Sequence, residues 1–277
     1  MHTNIIVLAA GKGERFKDGG YDIPKPYIDV CGKPIIQHMT DGIPQITTNG
    51  KQSDDTNLWF AVRGQHQKYT KYLLDTYGSN IRVRSFFEED IIGLRGGLDT
   101  AYQVARSMVL KKSFTDGPLY VLDCDNKFSI PDSHWELMSG GIIKRTVSIL
   151  GYIADIGAGD FLSQPEENPR WSYIDHLGSN LLGLYEKDAT KSHLPRAIGV
   201  FGFSSVSMFM VLASKILLAG EQVHGEYYMS QAIHAAIKDK TIEAKVTLID
   251  EKSFSPLGIP NDVAKFIASD YYNKVGI

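Results

Sequence analysis

The 277-residue sequence predicts an α/β protein, a Rossmann-like, mostly parallel mixed sheet flanked by helices. Three observations carry this. The apolar run Ile5-Ile6-Val7-Leu8-Ala9-Ala10 opens directly into Gly11-Lys12-Gly13-Glu14-Arg15. Short apolar segments then alternate with stretches whose apolar residues recur at helical spacing, joined by glycine-bearing loops. The wholly apolar Leu119-Tyr120-Val121-Leu122 runs into Asp123-Cys124-Asp125-Asn126, and sheets of this kind bind ligands at the carboxyl ends of their strands.

Asn4 to Ala10 reads as a buried strand and Ile35 to Ile43 as a short helix. The polar stretch Thr47 to Asp55 reads as a surface loop, Leu58 to Val62 as a strand, Gln65 to Tyr77 as an amphipathic helix and Ile81 to Phe87 as a strand. The loop Gly93-Leu94-Arg95-Gly96-Gly97 precedes a helix over Asp99 to Leu110, and Leu119 to Leu122 is the next strand. Further on, Ser172 to Asp175 and Leu181 to Lys187 flank Gly178-Ser179-Asn180 and predict a hairpin. Gln231 to Ile237 reads as a helix.

A hydrophobic content of 43% over this length supports a large core, read as one domain spanning 1–277. With 29 basic and 32 acidic residues, net charge −3, nothing marks a nucleic-acid or anionic-membrane surface, so any phosphate binding must be local. Cys31 and Cys124 are far apart and form no CxxC, which argues against a disulfide scaffold or structural zinc. No signal peptide or apolar run of membrane-spanning length is evident, so the cytoplasm is the expected compartment. A homo-oligomer is compatible with the chain.

The chemistry concentrates in the first 40 residues. Glycines let backbone N–H groups approach phosphate oxygens, Arg15 suits a forked contact, and Lys25 is a point charge held between Pro24 and Pro26. A G-x-G after a strand is, alone, as often a tight strand-to-helix turn. L-A-A-G-x-G-x-R followed by Pro24-Lys25-Pro26 and Gly32-Lys33-Pro34-Ile35-Ile36 resembles the paired signature of the sugar-phosphate nucleotidyltransferases, the nucleoside-diphosphate-sugar pyrophosphorylases.

That resemblance implies a GT-A-like nucleotidyltransferase fold, with a nucleotide-binding part over about 1–130 and an acceptor-binding part over about 131–277. It implies transfer of a nucleoside monophosphate from a triphosphate to a sugar 1-phosphate or similar phosphorylated acceptor, releasing pyrophosphate, with Mg²⁺. By the resemblance Arg15, Lys25 and Asp125 are catalytic, and Leu8, Ala10, Gly11, Gly13 and Gly97 contact the nucleotide. Asp125, Asp123 and Asp262 are the metal candidates, and a turn that splays Asp123 from Asp125 stays open. Glu186, Lys187, Gly199 and Glu226 are the acceptor candidates, with Gly199 leaving room for a ring and Glu226 equally able to complete a helix N-terminus.

Gly258-Ile259-Pro260-Asn261-Asp262 resembles the family's turn before the last helix, but Pro256 stands where many members carry a second metal-binding aspartate. Bacterial surface-polysaccharide pathways use related enzymes. Two other readings fit parts of the sequence. Asp123-Cys124-Asp125 also resembles the metal motif of GT-A glycosyltransferases, and a non-catalytic nucleotide-binding homologue would accommodate Pro256.

Overall fold

The computed structural model describes residues 3–44, 46, 56–64, 67–78, 81–86, 95–111, 115–129, 146–152 and 169–275. The predicted loop Thr47 to Asp55 lies outside them, as do Gln65, Phe87, Gly93 and Leu94.

Strand β1 (Thr3–Ala9) leads through a glycine turn into α1 (Glu14–Asp18). A ribbon of β2 (Asp29–Val30) and β3 (Lys33–Pro34) feeds α2 (Ile35–Thr40). The chain continues through β4 (Thr56–Arg63), α3 (Gln67–Tyr77), β5 (Arg82–Phe86), α4 (Gly97–Leu110) and β6 (Leu119–Asp123). Here the predicted alternation holds, and β5, β4, β1 and β6 lie parallel in that order. Strands β4, β1 and β6 are buried on both faces. Ile5, Val7 and Ala9 pack toward α2 and α3, whereas Ile6 packs with Leu98, Ala101 and Val104 of α4, the period-2 partition of a central strand.

The rest of the chain is β7 (Asn126–Phe128), β8 (Thr146–Tyr152), β9 (Ser172–Leu177), β10 (Asn180–Glu186), β11 (Arg196–Phe203), α5 (Val206–Ala219), α6 (Met229–Lys238), β12 (Glu243–Ile249), β13 (Phe254–Pro256) and α7 (Pro260–Val275). The nine-stranded sheet runs β5-β4-β1-β6-β11-β8-β12-β10-β9. It is mixed, but the expected parallel character belongs to its first half. Only β8 and β12 pair parallel beyond β6. A two-residue turn such as the one joining β9 to β10 permits only antiparallel pairing, whereas a parallel neighbour needs a long crossover. A further bridge, Arg196 to Tyr173, joins β9 back to β11 and curls this half on itself.

Two short pairings place the site. β13 runs antiparallel to β7, setting Pro256 opposite Asn126, and the Leu257 N–H donates to the Asp125 carbonyl at 2.8 Å. The segment before α7 is thereby tied to the end of β6. Among the described residues no helix is long and apolar enough to cross a membrane.

Candidate active site

At the carboxyl end of β1, Leu8 stands in register with Asp123 of β6. Beyond it Gly13, at φ 64°, takes the left-handed conformation that starts α1, and its carbonyl accepts from the N–H groups of Phe16 and Lys17. No heavy atom lies within 4 Å of the point a Gly11 Cβ would occupy, so this stretch of backbone is open to a ligand. Arg15 is exposed, and its guanidinium has no hydrogen-bond or ion-pair partner among the described residues. Lys12 lies 3.7 Å from Glu14, both largely exposed.

Lys25 sits in a single 3₁₀ turn, Lys25–Tyr27, which its flanking prolines pre-form. Its Nζ donates to Asp125 Oδ2 at 2.8 Å, across 100 residues of sequence, with both side chains mostly buried. Burial opposes the ammonium charge, but Asp125, reinforced by Asp123, outweighs it and holds Lys25 above its ordinary value.

The two carboxylates do splay apart. β6 ends at Asp123 and the chain bends at residues 124–125 before β7, sending Asp125 toward Lys25 and Asp123 against Gly199. A Cβ on Gly199 would stand 2.3 Å from Asp123 Oδ2, and Gly199 has φ 74°. The space expected to accommodate a sugar ring is therefore filled by the Asp123 carboxylate. Burial first, then the charge of Asp125, pushes the Asp123 carboxyl up to about 7. Cys124, between them, is buried, and its thiol is pushed up to about 12, mainly by that burial.

Asp262 does not join this pair. Among the described residues no three Asp, Glu, His or Cys side chains gather to hold a metal ion. Both Asp262 oxygens instead accept from Arg170, Nη1 to Oδ2 at 2.7 Å and Nη2 to Oδ1 at 3.1 Å. That pairing directs the carboxylate toward Arg170, while each of its oxygens accepts a single N–H. Pro256 lines the cleft and brings no carboxylate.

The hairpin end supplies the acceptor candidates. Glu186 accepts from the Ser172 hydroxyl and, at 2.6 Å, from Ser230, and burial raises its carboxyl above the ordinary range. Lys187 takes a left-handed conformation at φ 50°, and its Nζ reaches the Tyr228 hydroxyl while lying 4.4 Å from that ring's centroid. The Tyr228 hydroxyl in turn donates to Glu226. Glu226 does not cap α6, whose start is secured by the Gln231 side chain accepting the Tyr228 N–H at 2.8 Å.

Every candidate residue named from the sequence lines one cleft of about 570 Å³. Arg170, Ser172, Tyr228 and Ser230 line it too and carried no assigned role. Tyr228 and Ser230 lie in the segment that drew attention through Glu226, but no local signal pairs Arg170 with Asp262, 92 residues away. In the 95–97 loop the required glycine is Gly96 and not Gly97. Gly96 has φ 100°, and its Cβ would lie 2.4 Å from the Tyr227 carbonyl oxygen, whereas a Cβ on Gly97 would only touch Leu8. The Tyr227 N–H donates to the Arg95 carbonyl and the Leu98 N–H to that of Tyr227, stitching this loop to the Glu226–Tyr228 segment.

The cleft's cations, Lys12, Arg15, Lys25, Arg63, Arg170 and Lys187, are matched one for one by Glu14, Asp123, Asp125, Glu186, Glu226 and Asp262. Within this balanced cleft two carboxylates stand at a strand end, and the Arg15 guanidinium at the glycine loop has no hydrogen-bond or ion-pair partner among the described residues.

No protein-family model matches the chain. It is 43% identical over 241 residues to the bifunctional protein GlmU of Methanocaldococcus jannaschii, a match covering 86% of this chain and 48% of that one. The chain spans about half the length of the curated relatives it matches over most of its length. In fold it is similar to the nucleoside-diphosphate-sugar pyrophosphorylase of Vibrio cholerae RC9 (TM-score 0.69, 17% identity, 95% of this chain and 99% of that one). It is also similar to the CTP:phosphocholine cytidylyltransferase of Streptococcus pneumoniae (TM-score 0.62, 15% identity, 97% and 99% covered). In sequence the chain is thus similar to part of a GlmU protein, and in fold to sugar-phosphate nucleotidyltransferases.

Proposed function

We propose that this chain transfers a nucleoside monophosphate from a triphosphate to a phosphorylated small-molecule acceptor, a sugar 1-phosphate or a relative of one, and releases pyrophosphate. The observation that carries the reading is the meeting of Lys25 and Asp125 at 2.8 Å on the wall of a cleft that also holds the open Gly11 backbone and Arg15. The pyrophosphorylase and cytidylyltransferase named among the neighbours support the reaction class. We read the chain as one domain, with nucleotide held mainly by residues before about 130 and acceptor by those after. The insertion of β11 between β6 and β8, which makes one continuous sheet, supports this.

The acceptor's phosphate is already ionised at neutral pH, so alignment and charge neutralisation carry the catalysis and no strong base is needed. The amides around Gly11 and Gly13 and the Arg15 fork hold the β- and γ-phosphates. Lys25 meets charge developing at the α-phosphate, and Lys187 orients the attacking oxygen. The residues at the end of β6 fit a divalent cation, because Asp123 and Asp125 are hard oxygen donors and the repulsion between them, which helps raise the Asp123 carboxyl, is what a cation there would relieve. Mg²⁺ held there would neutralise charge on the α-phosphate and the acceptor. Lys25 donates to Asp125 Oδ2, so an ammonium and the carboxylate that would hold the cation stand side by side at the cleft wall.

Arg15 and Lys25 favour a triphosphate over the diphosphate leaving group of a glycosyltransferase. A thermal-shift panel of ATP, GTP, CTP, UTP and dTTP, with and without Mg²⁺ and beside nucleotide sugars, tests the reading and identifies the base, since a ligand that binds the folded state raises Tm. A shift with nucleotide sugars alone goes against it.

A further inference from the structure

We propose that Arg170 is an acceptor-binding residue, its guanidinium fixed by Asp262 so as to grip the anionic group of the phosphorylated acceptor beside Lys187. The inference rests on the reading that this cleft takes such an acceptor.

The ion pair is asymmetric. Asp262, in the first turn of α7, keeps 5% of its side-chain surface, whereas Arg170 keeps 27% and lines the cleft. Asp262 engages two N–H groups of the fork, one on each Nη, and three of the five donors of a guanidinium remain. The Trp171 ring, 5.1 Å from Arg170 Cζ, restrains the group further.

Arg170 is also in the right place. The Trp171 carbonyl accepts the Lys187 N–H at 2.9 Å, so the two cations leave the same end of the β9–β10 hairpin. Asp262 follows the segment whose Leu257 N–H holds the Asp125 carbonyl, which ties Arg170, through Asp262, to the end of β6. A guanidinium already immobilised loses little further freedom on binding a tetrahedral oxyanion and contacts two of its oxygens at once.

The test is calorimetric titration of inorganic phosphate into the wild type, Arg170→Met, Arg170→Lys and Asp262→Asn. It is run beside acceptor-dependent pyrophosphate release with a panel of sugar 1-phosphates and phosphocholine. Arg170→Met is expected to weaken phosphate binding and raise acceptor KM by about tenfold or more, with the Kd for triphosphate unchanged within about twofold. Arg170→Lys is expected to recover part of the loss, and Asp262→Asn to lose part while keeping the charge. Unchanged phosphate affinity in Arg170→Met overturns the proposal, as does an equal loss of triphosphate and phosphate binding together with a fall in Tm. A wild type that binds phosphate through Arg170 but turns over no acceptor supports the anion site and refutes the transfer reading. Turnover with acceptor KM unchanged in Arg170→Met does the reverse.

Discussion

The carboxylate of Asp123 lies against the bare Cα of Gly199, where a methyl group would stand 2.3 Å from Oδ2. Two strands that meet antiparallel, β6 and β11, thus fix the direction of an acid at the cleft wall by the absence of a side chain opposite it. Gly199→Ala is expected to displace Asp123 and to strain a backbone at φ 74° by roughly 1–3 kcal/mol. A lower Tm together with loss of the Mg²⁺-dependent part of the thermal shift checks this. Retention of both by the variant would show that the close approach has no role.

Lys25→Ala is expected to lower product formation by about two orders of magnitude or more while the far-ultraviolet circular dichroism stays that of the wild type, since its contribution is electrostatic and local. Asp125→Ala is expected to do the same. Steady-state pyrophosphate release measures both.

The Asp123 carboxyl, raised to about 7 mainly by burial and then by Asp125, links stability to pH. The unfolded residue titrates near about 4. Between those values the folded chain holds a proton that the unfolded chain has lost, so this group's contribution to stability is full below about 4 and is lost as the pH rises through about 7. Asp123→Asn is expected to flatten that fall. Urea midpoints taken from about pH 5 to 8 for the two proteins give the comparison, and parallel curves would reject it.

Gly96→Ala is expected to cost roughly 1–3 kcal/mol, because its Cβ would meet the Tyr227 carbonyl oxygen at 2.4 Å and its φ of 100° belongs to glycine. Because the same contact stitches the 95–97 loop to the Glu226–Tyr228 segment, triphosphate affinity and acceptor KM are both expected to worsen. An effect on one substrate alone would show that the two loops act independently.

Legibility in the sequence followed the range of the interaction. The β1 loop and the Pro24-Lys25-Pro26 turn were readable because their chemistry is local, and the acids at residues 123–125 were readable because an apolar strand ends there. The parallel first half of the sheet followed from helical and extended periods alternating. β7 and β13, three residues each, carry no period of their own and exist through their mutual pairing. The α5 helix carries local signals at both ends, with Ser205 accepting the Met208 N–H at its start and Gly220, at φ 76°, closing its end. Gly199 is legible as a glycine in a strand, where a missing side chain leaves room. What occupies that room depends on the register of β11 on β6, a tertiary fact, and the pairing of Arg170 with Asp262 across 92 residues is another.

The most direct test of the central claim is acceptor-dependent pyrophosphate release with Mg²⁺, run for each of the five common triphosphates against a panel of sugar 1-phosphates and phosphocholine. The account predicts release with at least one pairing, dependent on both substrates and abolished in Lys25→Ala. Release with no pairing, or release undiminished in that variant, would contradict it.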